Sequence, residues 1–174
     1  PDLRKQLGVW YTPPEIVTYM VERVDQLLRS ELGIEDGLAD ESVYVLDPAT
    51  GTGSYVVEVA KRIHKTLEEQ GHGAMAAAGV KRALTTRVFG FEILPAPYVV
   101  AHLQLGVLLR GMGAALSGKE RAGVYLTNAL TGWEEPKGAK QSLLPFLQEE
   151  QEKAAKVKRE APIIVILGNP PYNG

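Results

Sequence analysis

The sequence of 174 residues contains no cysteine, only three histidines and no strong excess of charge. Without cysteine the chain can form no disulfide, thiolate nucleophile or cysteine metal site. His64, His72 and His102 do not have the spacing of metal ligands, so no metal is predicted. The formal net charge of -2 gives no electrostatic sign of nucleic-acid binding, since a domain that binds phosphates unaided is usually basic. Any grip on nucleic acid would therefore have to come largely from elsewhere.

Long apolar runs and targeting segments are also lacking. The longest apolar stretch, residues 98–109, is too short and interrupted to span a bilayer, and no signal pattern begins the chain. The sequence therefore predicts a protein of the cytoplasm that does not enter a membrane. Because residue 1 is proline and the last residues follow a strand pattern, we expect a piece of a longer protein.

Strand and helix patterns alternate along the chain. Helices are predicted over residues 14–31, 54–70, 74–84, 95–112 and 141–160, and strands over residues 43–46, 87–92, 124–127 and 163–167. The strands are apolar without a polar face, which is typical of a parallel sheet covered by helices on both faces. The predicted fold class is α/β.

Polar residues and glycines follow each predicted strand, at residues 47–53, 92–93, 128–130 and 169–172. In open parallel sheets, ligands bind outside the carboxyl ends of the strands. Gly51 and Gly53 let a backbone approach a ligand closely, although a tight strand-to-helix turn explains them equally well. Val56 stands where a dinucleotide site would have its third glycine, so pyrophosphate binding is disfavoured.

Two further strand ends suit a nucleoside. The Glu92 carboxylate can accept hydrogen bonds from both hydroxyls of a ribose, and the Asn128 carboxamide can both donate to and accept from an adenine edge. Each residue alone is explained as well by a solvated acid or a simple turn. Together with the glycine loop, they favour a nucleoside that lacks a pyrophosphate, such as S-adenosylmethionine (AdoMet).

The last predicted loop combines an amide, two prolines and an aromatic ring. It offers a carboxamide, carbonyls without neighbouring N–H donors and a flat surface, which together suit a planar amide or amine. A rigid proline turn is the alternative. The four residues are Asn169, Pro170, Pro171 and Tyr172.

These motifs resemble those of the AdoMet-dependent DNA adenine-N6 methyltransferases. The resemblance rests on DPATGTG at residues 47–53 and NPPY at residues 169–172, preceded by GVWYTP at residues 8–13, which is the motif order of the gamma-type enzymes. GFEILPAPY at residues 90–98 and the charged helix before the last strand resemble, more particularly, the large single-chain type ISP restriction-modification enzymes. The resemblance covers nearly the whole chain.

The resemblance implies a Rossmann-like methyltransferase fold, truncated after its fourth strand. Residues 1–35 would supply an N-terminal motif and helix, and residues 43–174 a partial core. Thr12 would contact the methionine carboxylate of AdoMet, Glu92 the ribose, Ile93 the face of adenine, and Asn128 its edge, where many relatives carry aspartate. The implied cofactor residues are Tyr11, Thr12, Pro13, Asp47, Ala49, Gly51, Gly53, Glu92, Ile93 and Asn128.

The resemblance also implies a reaction on DNA. The Asn169 side-chain oxygen and the Pro170 carbonyl would each accept a hydrogen bond from the N6 amine of a flipped adenine. Tyr172 would stack on the base. Double-stranded DNA would be bound through parts of the parent enzyme outside this sequence, and the oligomeric state stays open.

Two alternatives remain. The first is methylation of another planar amine or amide, such as a release-factor glutamine or a ribosomal RNA guanine. The motif at residues 11–13 and the long interval between Gly53 and Asn169 argue against those more compact enzymes. The second is a module that only binds the cofactor. We expect the isolated sequence to bind AdoMet weakly or moderately and to methylate nothing by itself.

Overall fold

Helices and strands alternate in the computed structural model, which describes residues 12–133 and 145–170. Strands β1 to β4 span Tyr44–Asp47, Val88–Glu92, Gly123–Leu126 and Ile163–Ile166. Helices α1 to α5 span Pro14–Ser30, Ser54–Glu69, Gly73–Thr86, Pro95–Gly111 and Pro145–Glu160, with a 3-10 turn at Gly37–Ala39. Each predicted helix and strand is present, with ends displaced by one or two residues. Residues 141–144, where the last helix was predicted to begin, lie outside the described residues, and the 3-10 turn was not predicted.

The four strands form one parallel sheet of order β3-β2-β1-β4. The chain builds outward from β1 through β2 to β3 and then returns to place β4 on the other side of β1. The carboxyl ends of β1 and β4 therefore flank the point where the strand order reverses, which is the usual place for a ligand in such sheets. Parallel pairing, predicted from the apolar strands, is confirmed.

Helices cover both faces of the central strands. Val45, Val88 and Val124 pack in a core with residues of α2, α3 and α4, whereas Leu46 and Phe91 pack on the opposite face with residues of α5. All five residues of β2 are buried. The strand β4 departs from the prediction, because Ile164 and Ile166 leave one of its faces exposed in the part of the chain described.

Two buried carboxylates hold helices in place. Asp25, fully buried on α1, accepts hydrogen bonds from Leu38 N (2.8 Å), Arg29 Nε (2.9 Å) and Arg62 Nη2 (2.7 Å). Glu150 on α5 pairs with Arg121 and also accepts a hydrogen bond from Leu126 N at 3.1 Å. Because a buried carboxylate is stable only when its oxygens are satisfied, these contacts fix α1 against α2 and α5 against β3.

Within the described ranges, no helix is both long and apolar enough to cross a membrane.

Candidate functional site

The candidate site lies where the loop after β4 meets the residues that precede α1. Asn169, three residues beyond β4, donates a hydrogen bond through Nδ2 to Thr12 Oγ1 at 3.0 Å, across a sequence separation of 157. Both side chains are half-buried. The structure therefore brings together residues from the first and the last of the three sequence motifs. The sequence alone does not predict that these two side chains touch.

The glycine loop turns sharply between β1 and α2. Gly51 and Gly53 have φ of 56° and 93°, in the left-handed region that favours glycine. A Cβ at Gly53 would also lie 3.3 Å from the Ala101 backbone, so α4 packs closely against the loop. No side chain caps the beginning of α2, and the beginning of a helix is a common place for a ligand to bind.

Glu92 binds the glycine loop directly. Its Oε2 accepts a hydrogen bond from Gly51 N at 2.8 Å, and its Oε1 accepts one from Leu94 N at 2.7 Å. The residue is only 8% exposed. An ionised carboxylate offers about four acceptor positions, so capacity remains for hydroxyl groups of a ligand. Glu92 thus has a role in shaping the loop that the sequence did not reveal.

Asp47 is a buried acid whose second oxygen is unsatisfied. Its Oδ1 accepts a hydrogen bond from Ala49 N at 3.0 Å, while Oδ2 has no hydrogen-bond partner among the described residues. Burial raises the pKa of Asp47 to about 7; the Ala49 N–H opposes this rise and the Glu92 carboxylate adds to it. A Cβ at Gly168 would overlap Asp47 Oδ1, so the residue before Asn169 packs directly on this carboxyl group.

The raised pKa of Asp47 predicts that the fold loses stability as the pH rises. Its ordinary value is 3.8, so the stabilising contribution of the protonated carboxyl is fully present below that pH and is lost as the pH rises through about 7. Asp47→Asn cannot ionise. Between about pH 5 and about pH 8, we expect the unfolding free energy of the wild type to fall by about 3 kcal/mol relative to this variant. Urea unfolding across this range measures the difference.

Asp40→Asn is the matched control. Hydrogen bonds from Ser42 hold the pKa of Asp40 below its ordinary value, so its contribution changes only at lower pH. Its difference from the wild type should therefore stay constant across the same range. A constant difference for Asp47→Asn as well would show that Asp47 is already ionised in the folded protein.

The two residues predicted to contact the purine of the cofactor lie at neighbouring strand ends. Ile93 is 61% exposed directly after β2, and Asn128 is exposed two residues beyond β3. The Asn128 side-chain oxygen accepts a hydrogen bond from Leu130 N at 2.9 Å, which is the turn role considered as its alternative. The oxygen keeps a second lone pair and the amide its donors, so a ligand role is compatible with the turn.

The remaining predicted residues are placed as follows. Pro13 precedes α1, and its carbonyl accepts hydrogen bonds from Ile16 N and Val17 N. Pro170 is exposed beside Asn169. Tyr11, Pro171 and Tyr172 lie outside the described residues. In the portion of the chain that is described, no group of three or more histidine, cysteine or acidic side chains could hold a metal ion.

Sequence reasoning missed three residues that shape the site: Gly90, Gly168 and Lys158. A Cβ at Gly90 would overlap Thr50 Oγ1, so this glycine lets the loop sit against β2. A glycine inside an apolar strand is a usable signal of such a close approach. Lys158 lies in a helix rich in charges, where nothing in the sequence distinguishes it from solvated neighbours.

The reversal in strand order and the helices on both faces of the parallel sheet define a doubly wound α/β domain, a fold in which ligands bind at such a reversal. The chain belongs to the N-6 DNA methylase family, whose model matches residues 1–174. This agrees with the resemblance carried by the three sequence motifs.

Solved structures of DNA-modifying enzymes are similar to the chain. A nuclease-deletion mutant of the Type ISP restriction-modification enzyme LlaGI, in complex with a DNA substrate mimic, is 25% identical with a TM-score of 0.76, over 95% of this chain and 13% of that chain. The ATP-dependent Type ISP restriction-modification enzyme LlaBIII bound to DNA is 27% identical with a TM-score of 0.75, over 95% of this chain and 10% of that chain.

DrdV in its complex with DNA is 29% identical with a TM-score of 0.73, over 98% of this chain and 15% of that chain. The present chain therefore spans only a small part of the length of each of these three similar chains. Among curated proteins, none is similar enough in sequence to count as a match.

Proposed function

We propose that the chain is the cofactor-binding and catalytic part of an AdoMet-dependent DNA methyltransferase that acts on the N6 amine of a flipped adenine. The enzyme would be a larger restriction-modification protein that binds double-stranded DNA through its other parts. The observation that carries this proposal is the hydrogen bond from Asn169 to Thr12, which holds a carboxamide at the strand-order reversal beside the glycine loop. Within the domain, residues 1–35 would supply the N-terminal motif and helix, and residues 43–174 a partial core.

The residues present fit AdoMet. Gly51 leaves room for close approach of a ligand, and the nearby Glu92 carboxylate has acceptor capacity for the two ribose hydroxyls. The unsatisfied Oδ2 of Asp47 suits a cationic ligand, because a positive charge nearby favours the ionised carboxylate. When bound, AdoMet supplies a methyl group on a sulfonium, ready for transfer to a nucleophile.

Asn169 and Pro170 would prepare the target amine. The amine of adenine is a poor nucleophile because its lone pair is delocalised into the ring. Since Asn169 Nδ2 donates to Thr12, the Oδ1 of Asn169 is the end of the amide that is available to accept a hydrogen bond from the amine. The Pro170 carbonyl would accept a second hydrogen bond from the amine, which favours a pyramidal nitrogen whose lone pair can attack the sulfonium methyl in line. The new N–C bond would form as the S–CH3 bond breaks, S-adenosylhomocysteine would leave, and the methylated nitrogen would then lose a proton. Pro171 would keep the loop rigid, and Tyr172 would stack on the base.

The test is methylation of duplex DNA by the parent enzyme with AdoMet labelled in its methyl group. After digestion to nucleosides, mass spectrometry should find the label in N6-methyladenine. Label in N4-methylcytosine, in RNA or in protein would contradict the proposed substrate.

The isolated 174-residue chain provides a second comparison. We expect it to bind AdoMet weakly or moderately and to methylate no DNA, because its net charge of -2 offers no attraction for phosphates. Calorimetry measures the binding, and the same nucleoside assay measures the activity. Robust DNA methylation by this chain alone would contradict the expectation.

A further inference from the structure

Lys158 is a buried cation, and its hydrogen-bond partners among the described residues lie in the loop that follows β3. It is 7% exposed, and its Nζ donates to Thr127 Oγ1 (3.0 Å), Asn128 O (2.7 Å) and Thr131 O (2.6 Å). No carboxylate in the described ranges pairs with it. Burial lowers the pKa of Lys158, and the three neutral oxygens compensate for part of the lost hydration of the ammonium.

The loop is folded around this ammonium. Asn128 O also accepts a hydrogen bond from Thr131 N (3.4 Å), and Trp133 Nε1 donates to Ala129 O (2.7 Å). Gly132, with φ of 80°, lets the chain pass close to the Lys158 Nζ. Residues 127–133 therefore form a closed turn with Lys158 at its centre, which we term the β3 loop.

Lys158 also contacts the neighbouring strand end. Its Nζ lies 4.9 Å from the centre of the Phe91 ring, and Phe91 is fully buried in β2 immediately before Glu92 and Ile93. A cation over an aromatic ring is attracted to it, more strongly when both are shielded from water. One side chain of α5 thus joins the ends of β2 and β3, which carry the ribose and adenine residues.

We propose that Lys158 is a positioning residue for the adenine end of the cofactor, because it holds Asn128 in the orientation that reads the purine edge. The inference rests on the proposed function, since it requires that a nucleoside binds at these strand ends. Lys158 itself touches neither the cofactor nor the substrate. It acts through the backbone of the β3 loop.

Lys158→Met tests the proposal, because methionine keeps most of the apolar stem and removes the ammonium. Binding is measured by calorimetry with S-adenosylhomocysteine and with its hypoxanthine analogue S-inosylhomocysteine, which differs only at the purine edge. We expect the affinity for the adenine ligand to fall about tenfold and that for the hypoxanthine ligand to change much less, so the preference between them collapses. Lys153→Met is the matched control on the same helix, where the ammonium pairs with the exposed Glu149, and it should leave the preference unchanged.

A second readout uses no ligand. In the 174-residue chain carrying Trp10→Phe, Trp133 is the sole tryptophan, and its fluorescence reports on the β3 loop. Lys158→Met should shift or quench its fluorescence, and Lys153→Met should not. If Lys158→Met does not fold, Thr127→Val removes one of the three acceptors and should reduce the purine preference about threefold.

The outcomes separate the two proposals. Failure of the wild type to bind S-adenosylhomocysteine would overturn the proposed function. Binding by the wild type, with an unchanged purine preference in Lys158→Met, or in Thr127→Val where that variant replaces it, would overturn the positioning role. In that case Lys158 serves stability alone.

Discussion

Replacing Asn169 by alanine is expected to lower the rate of DNA methylation by the parent enzyme at least about 100-fold, while AdoMet affinity stays within about threefold. The carboxamide would act on the amine as it becomes positively charged, so its loss removes an interaction made mainly in the transition state. The hydrogen bond to Thr12 fixes the amide before the substrate arrives, which avoids the cost of orienting it during reaction. Single-turnover transfer of a labelled methyl group measures the rate, and calorimetry measures the affinity.

Thr12→Val separates orientation from chemistry. It keeps Asn169 but removes the hydroxyl that accepts from its Nδ2, so we expect an intermediate loss of rate of about tenfold. The rate is measured at saturating AdoMet, because Thr12 is also expected to contact the methionine carboxylate of the cofactor. Host DNA gives an independent readout, since N6-methyladenine should disappear from cells whose only copy of the enzyme carries Asn169→Ala. Unchanged N6-methyladenine in such cells would show that this residue does not serve the reaction.

Glu92→Gln is expected to weaken AdoMet binding roughly 100-fold, although glutamine and glutamate have nearly the same size and shape. The carboxylate accepts from Gly51 N and Leu94 N at the same time, and glutamine has only one oxygen to replace two. Its amide nitrogen would face one of these N–H groups, donor against donor. Both the ribose contact and the shape of the glycine loop are therefore affected. Calorimetry with AdoMet measures the loss.

A ligand without the 2′-hydroxyl distinguishes these two effects. The wild type should bind 2′-deoxy S-adenosylhomocysteine more weakly than the parent ligand, whereas Glu92→Gln should lose most of this discrimination. Glu69→Gln, at an exposed acid near the end of α2, serves as the control and should bind both ligands as the wild type does. If Glu92→Gln retains the full discrimination, the ribose hydroxyls are bound elsewhere.

The elements of this fold could be predicted from the sequence because each has a local signal. Apolar runs ending in glycine, proline or polar residues marked the strands, and helical spacing marked the helices. The spatial order was less accessible, since no local pattern says that β4 returns to lie beside β1. The contact between Asn169 and Thr12 depends on that return, and it was therefore not predictable as a distance.

Buried charges were the main gap in the sequence interpretation. Glu150 and Lys158 lie in a charged helix that was interpreted only as amphipathic, yet both are buried against β3 and the loop after it. Their burial depends on oxygens and N–H groups contributed by distant residues, such as Leu126 N for Glu150. The contact of Glu92 with the glycine loop was hidden for the same reason, because it depends on the register between that loop and β2.

The return of β4 to the centre of the sheet has a consequence for the order in which the protein folds. The β1–β2 pairing and the packing of α2 on α3 join segments that are near in sequence. The strand β4, in contrast, comes much later in the chain and pairs with β1. Contacts of such long sequence separation are costly in chain entropy and form late. During synthesis a nascent chain can therefore form its glycine loop early. The Asn169 carboxamide can take its place beside Thr12 only after residue 169 has left the ribosome.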